Sequence, residues 1–124
     1  MSTIKKSDGH QQVIPYLIVE NASSFIDFVK HVFNAEEKMR VPRGEGIMHA
    51  EVKIGDSTIM LSDVTEQFKQ MNAGLFIYVA NADETYLEAI NAEATSIMEP
   101  TNQEYGRACG VKDPFGNTWW ITSL

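Results

Sequence analysis

His49 and Glu51 stand two residues apart in the stretch "IMHAEVKI". On an extended strand, side chains at i and i+2 share a face, so the imidazole and the carboxylate can share a proton or bind one ion together. They are the catalytic candidates of the chain, as an acid–base pair or as a histidine that orients a ligand; the alternative is that they only satisfy each other. Two ligands alone make an open, weak metal site. Arg107 follows Tyr105 and Gly106 and could fork onto the carboxylate or phosphate of a ligand, or pair with Glu51 or Glu104. Cys109 is the single cysteine, read as a small buried hydrophobe or as a thiolate opposite His49. Tyr16, Phe76, Tyr78 and Trp120, with Met60, form an aromatic and apolar set that would line a stacking cavity for a flat guest or fill a collapsed one. His31 reads as a solvent-facing helical residue and His10 as part of a tail. "DPFGN" reads as a turn, and no glycine-rich nucleotide motif, serine triad or zinc spacing is present.

The elements that must position these residues show an internal repeat at an offset of 60. "YLIVENA" from Tyr16 lies over "FIYVANA" from Phe76, "TIMLS" from Thr58 over "TWWIT" from Thr118, and His49–Lys53 over Cys109–Asp113. Two copies are too few for a solenoid and describe a duplicated module. In the first, Val13–Val19 is a β-rich run, Asn21 can cap a helix carrying Phe25, Phe28, Val29 and Val32 on one face, and strands are expected at Glu36–Val41, Ile47–Ile54 and Thr58–Ser62, with "PRGEG" and "GDS" as turns. In the second, a strand at Gly74–Ala80 precedes an Asn81 cap with Glu84 three residues on and a helix to about Asn91. Strands follow near Thr95–Glu99, Arg107–Lys112 and Thr118–Thr122. The order is βαβββ twice. Residues 1–12 are expected to be a loose tail, 13–63 module one, 64–73 a connector and 74–124 module two.

Alternation then assigns faces. Met48, Ala50, Val52 and Ile54 should meet the helix, leaving Ile47, His49, Glu51 and Lys53 on the other side. Carried across the repeat, the same parity puts Arg107, Cys109 and Val111 with His49, puts Met60 and Trp120 on the cavity side, and puts Ile59 and Trp119 in the core. A slip of one residue would exchange the two tryptophans.

At 124 residues the chain has room for one domain. Its formal charge of −7, with no basic stripe, argues against nucleic acid and favours a cationic guest over an anionic one. The longest apolar runs are far shorter than the roughly 20 residues that span a bilayer, so no membrane partner is expected. A lone cysteine and no export-like start point to the cytoplasm.

Together "PYLIVENASSFIDF", "IMHAEVKIGDSTIMLSD" and "YGRACGVKDPFGNTWW" resemble the vicinal oxygen chelate superfamily, which includes glyoxalase I, bleomycin and fosfomycin resistance proteins and extradiol dioxygenases, and within it the PhnB-like branch. The resemblance implies an α+β fold of two βαβββ modules in a cupped eight-stranded mixed sheet, and a homodimer with halves arranged within or across chains. Metal-using relatives take ligands from the first and fourth strands of each module. Those positions here are Ile14 or Pro15, Met60, Gly74 or Leu75, and Trp120, none a ligand for a hard divalent ion. The expectation is therefore no metal and no cofactor, and a protein that binds a small organic molecule, such as an antibiotic or metabolite, through Tyr16, Met60, Phe76, Tyr78, Arg107 and Trp120. A lyase, isomerase or transferase using His49 and Glu51, and a structural dimer without ligand, are the alternatives.

Overall fold

The computed structural model describes residues 3–124. Module one comprises β1 (Tyr16–Val19), α1 (Ala22–Phe33), β2 (Glu36–Arg43), β3 (Gly46–Ile54) and β4 (Ser57–Asp63). Module two comprises β5 (Gly74–Tyr78), α2 (Ala82–Asn91), β6 (Thr95–Gln103), β7 (Gly106–Lys112) and β8 (Thr118–Ser123). The α+β class and the doubled βαβββ order are as expected. The eight strands form two four-stranded sheets, ordered β1-β4-β3-β2 and β5-β8-β7-β6, with one parallel pair in each. Among the described residues no strand of one sheet contacts a strand of the other.

Each helix covers one face of its own sheet, and the two helices touch. Their apolar stripes join in one core: Phe33 lies 4.5 Å from Trp119, centroid to centroid, and the Phe25 and Phe28 rings meet Phe115 edge-on. The opposite face of each sheet is left open, with Tyr16, Phe76, Tyr78 and Trp120 all exposed on it.

Helix starts follow the repeat in a way the sequence concealed. Asn81 caps α2 as expected, its Oδ1 accepting from the Glu84 N–H at 3.1 Å. Asn21 instead adopts a left-handed conformation (φ 63°) and its side chain caps nothing. The last residue of β4 takes over: Asp63 Oδ1 accepts from the Ala22 N–H at 2.7 Å, placing a carboxylate at the positive end of α1. Ser123 Oγ, one repeat later, accepts from the Ala82 N–H at 3.0 Å.

Three expectations about the strands need correction. Residues Pro42–Arg43 continue β2 rather than opening a turn, and β6 runs on to Gln103; both outer strands carry bulges, a common way of ending pairing at a sheet edge. Between the Val41–His49 and Pro42–Ile47 pairs, Met48 is the extra, unpaired residue of β3. There the alternation of β3 breaks, so Ile47 joins the core and Met48 is exposed.

The third correction concerns β7. Across the β3–β4 hairpin Lys53 pairs with Thr58, whereas across the β7–β8 hairpin Lys112 pairs with Thr118. The second hairpin is thus one residue longer, and β7 follows β3 at an offset of 59 while β8 follows β4 at 60. One residue reverses every side chain of a strand. Cys109 and Val111 therefore pair with Ile121 and Trp119 on the core side. Arg107 also leaves the His49 face.

Candidate functional site

The open face of the first sheet is a polar wall. Tyr16, Met60, Glu51 and Met39 stand in one row across β1, β4, β3 and β2, and His49 pairs with Val41 in the next. His49 is held from both sides: its Nδ1 lies 3.0 Å from Tyr16 Oη, and its Nε2 lies 3.2 Å from Glu51 Oε2. The second Glu51 oxygen lies 2.7 Å from His10 Nε2. Four side chains thus form one hydrogen-bonded chain, Tyr16–His49–Glu51–His10.

His10 is the member that sequence reasoning missed. Beside it, the Gln11 side-chain amide donates to the Thr58 carbonyl at 2.8 Å and accepts from the Thr58 N–H at 3.3 Å. It serves in place of the β1 partner that Thr58 lacks. Residues expected in a loose tail are therefore docked as a strap over the wall.

Glu51 is buried, at 8% exposure. Burial opposes its charged form, but hydrogen bonds from His10 and His49, helped by their charge, outweigh it and hold the carboxyl below its ordinary value. A depressed carboxylate adds stability at neutral pH and loses it as the pH falls below the ordinary carboxylate range. Glu51→Gln should therefore abolish that acid-dependent contribution, cost about 1–2 kcal/mol at pH 7, and undock the strap. Amide exchange at His10 and Gln11 should rise about tenfold; unchanged protection would contradict the anchoring role.

The open face of the second sheet is an aromatic wall. Phe76, Trp120, Gly110 and Met98 stand in one row across β5, β8, β7 and β6. Phe76 and Tyr78 meet edge-on at 5.2 Å, and Tyr78 is 68% exposed. Trp120 packs closely over Gly110: a Cβ built there would come within 2.5 Å of the indole ring. A glycine inside a strand signals such close approach, a signal present in the sequence but unused. Gly110→Ala should lift the indole off the sheet, with its fluorescence shifting to the red and Trp119 unaffected; an unchanged spectrum would mean the ring is not seated there. Thr122 Oγ1, beneath the same wall, is buried without a hydrogen-bond partner among the described residues. Trp119, by contrast, is core, its indole N–H donating to Asp113 Oδ2 at 2.8 Å.

Arg107 and Cys109 do not join either wall. Arg107 forks onto Asp83 of α2, with bonds of 2.9 and 3.1 Å, and reaches Asn102; its partner is neither Glu51 nor Glu104. The hydrogen bonds with Arg107 lower the Asp83 carboxyl, and Asp83 in turn raises Arg107. Burial pushes the Cys109 thiol up to about 11; it stays protonated at neutral pH and points at the backbone carbonyls of Ala82 and Ile121.

The two walls share no strand contact, hydrogen bond or ring contact among the described residues. A cleft of about 720 Å³ runs between the β3–β4 turn, the end of α1 and β5. It reaches Phe76 and Tyr78 but excludes Trp120, His49 and Glu51. β5 borders it as an edge strand, paired among the described residues with β8 alone. The corresponding edge of β1 is covered at Ile18, which exchanges two hydrogen bonds with Met71 of the connector.

The positions from which relatives hold a metal do not fit one here. Those positions are Ile14 or Pro15 just before β1, Met60 on β4, Gly74 or Leu75 on the edge strand β5, and Trp120 on β8, and neither thioether nor indole is a ligand for a hard divalent ion. Among the described residues no group of three or more His, Cys, Asp or Glu is placed to share an ion.

Paired βαβββ modules, each with a helix behind its sheet and an open face in front, define the class of protein. The family model described as the Glyoxalase/Bleomycin resistance protein/Dioxygenase superfamily matches residues 10–121, and the chain belongs to that superfamily. It is 35% identical over 118 residues to the uncharacterized protein Mb0911c of Mycobacterium bovis, covering 85% of this chain and 78% of that protein. The fold is similar to that of TioX from Micromonospora sp. ML1, with a TM-score of 0.74, 20% identity and coverage of 92% of this chain and 96% of that one. It is also similar to the PhnB protein from Bacillus cereus, with a TM-score of 0.72, 16% identity and coverage of 92% and 100%.

Proposed function

We propose that this protein is a metal-free binder of a small organic molecule that works as a homodimer, the polar wall of one copy facing the aromatic wall of the other. The observation that carries the reading is Trp120 packed closely over Gly110 beside an exposed Phe76. Among the described residues it forms an aromatic shelf left partly open to solvent. Pairing of copies would also protect β5, whose run "GLFIYVA" is uncharged and exposes Phe76 and Tyr78 at the strand edge. Such edges invite pairing with another chain.

A flat guest would stack on Phe76 and Trp120, with Tyr78 at the rim and Tyr16 and Met60 opposite. The formal charge of −7 and the exposed ring faces favour a cationic guest, since cations over indole gain about 0.5–2 kcal/mol. Sequestration of an antibiotic or metabolite is the role this suits. Arg107, held by Asp83, is left out of the proposed site. No helix among the described residues is long and apolar enough to cross a membrane; a cytoplasmic, PhnB-like protein is part of the proposal, the PhnB-like kinship being supported by likeness in fold to one such protein.

The test is a thermal-shift screen with flat aromatic amines and quaternary ammonium compounds on wild type and Trp120→Ala. A guest at 100 times its dissociation constant adds about 2.7 kcal/mol. The expected result is stabilisation of the wild type and none of the variant; silence from the wild type, or equal shifts in both, contradicts the reading. The Tyr16–His49–Glu51 chain favours a second reading, in which His49 and Glu51 act as an acid–base pair on a bound substrate, and turnover of a screened guest would establish it.

A further inference from the structure

Hydrogen-bond directions on the polar wall follow from what each group can donate. An ionised carboxylate only accepts, so His49 Nε2, 3.2 Å from Glu51 Oε2, carries a hydrogen. In a neutral imidazole the other nitrogen is then an acceptor. Tyr16 Oη, 3.0 Å from Nδ1, must donate to it. With its proton committed to the ring, Tyr16 offers only lone pairs on its exposed side.

Protonation of His49 reverses that bond. Nδ1 becomes a donor, Tyr16 Oη becomes its acceptor, and the phenolic hydrogen turns outward. The geometry points to Tyr16 as a proton-coupled selector of guest charge: it accepts from an organic ammonium while His49 is neutral and donates to an organic carboxylate once His49 is protonated. This rests on the proposed dimeric cup, whose aromatic wall supplies the stacking that both guests share. No covalent step is involved; the proton on His49 comes from solvent, and its positive charge reinforces the same preference.

The groups facing His49 set the background. They are Tyr16 from β1, Glu51 and Lys53 from β3, Met60 and Ser62 from β4, Met39 and Val41 from β2, and His10 from the strap. Of these, His10 is the other imidazole. It touches the far oxygen of Glu51, so it supports the carboxylate without touching the His49–Tyr16 bond.

Two probes with one ring and opposite charges test the switch: 1-naphthylmethylammonium and 1-naphthoate, titrated calorimetrically at pH 5.5 and pH 8. On going to pH 8 the ammonium is expected to bind about tenfold tighter and the carboxylate about tenfold weaker, the scale of one charge-assisted hydrogen bond gained or lost. His10→Gln keeps an N–H for Glu51 and should preserve both slopes. His49→Gln should flatten both, and Tyr16→Phe, which keeps the ring, should remove most of each. Binding of both probes with parallel pH trends, or opposite slopes that survive His49→Gln, overturns the selector while leaving the cup in place. Failure of the wild type to bind either probe overturns the cup and the selector with it.

Discussion

Trp119→Ala should leave little folded protein, with a loss of about 4–5 kcal/mol in urea unfolding, whereas Trp120→Ala should cost no more than about 1 kcal/mol. The neighbouring rings differ by face alone. Trp119 is 1% exposed and its ring lies against Phe33 from the other module, so truncation opens a large cavity where the two halves meet, a change that typically costs about 3–5 kcal/mol. It also removes the indole N–H from Asp113, one of the four hydrogen bonds that this buried carboxylate accepts at 3.1 Å or less. Trp120 is 39% exposed and rests on a glycine; its removal uncovers backbone that solvent can reach. Equal destabilisation by the two variants would show that the strand register is wrong.

The second large effect is expected at Asp113. Its Oδ1 accepts from the N–H groups of Phe115 and Asn117, each at 2.9 Å, and its Oδ2 accepts from Asn117 Nδ2 at 3.1 Å and Trp119 Nε1 at 2.8 Å. Asn117, fully buried, passes the connection on: its Oδ1 accepts from the Ala73 N–H and from Asn72 Nδ2. One carboxylate thus shapes the β7–β8 turn, seats Trp119 and ties the connector between the modules. Asp113→Ala leaves several buried donors without partners, each costing about 1–3 kcal/mol and not additively. A total near 4 kcal/mol is expected, with Asp113→Asn losing about half as much because one acceptor remains. A loss under about 1 kcal/mol for Asp113→Ala would mean that solvent satisfies these groups.

Much of the fold could be read from spacing. The offset of 60 located both modules, and the helical stripe of Phe25, Phe28, Val29 and Val32 did become core. Trp119 and Trp120 were separable because β5 and β8 kept the same offset as β1 and β4. Arg107 and Cys109 were misplaced because local alternation cannot reveal a hairpin that is one residue longer, and a single residue suffices to reverse β7. Ile47 and Met48 were exchanged for a related reason, a bulge set by pairing with β2 rather than by their own sequence.

The candidate site was half legible. His49 and Glu51 announced themselves by type and spacing, and their contact is local. Tyr16 and His10 reach them only through the parallel β1–β4 pairing and the strap, which bring residues 33 and 41 positions distant into hydrogen-bond range. Nothing in the polar segment before Val13 distinguishes a docked strap from a loose end, because its anchorage depends on two side chains meeting partners far along the chain.

The proposed site is assembled from two copies, and complementation between crippled chains tests it most directly. Tyr16→Ala spoils the polar wall and Trp120→Ala the aromatic one, so neither homodimer should bind 1-naphthylmethylammonium. A heterodimer isolated through two different tags pairs the intact polar wall of one chain with the intact aromatic wall of the other and should recover one binding site per dimer, at close to wild-type affinity. Should the heterodimer bind nothing while the wild type binds, the walls would have to close within a single chain, and the cross-chain cup would be wrong.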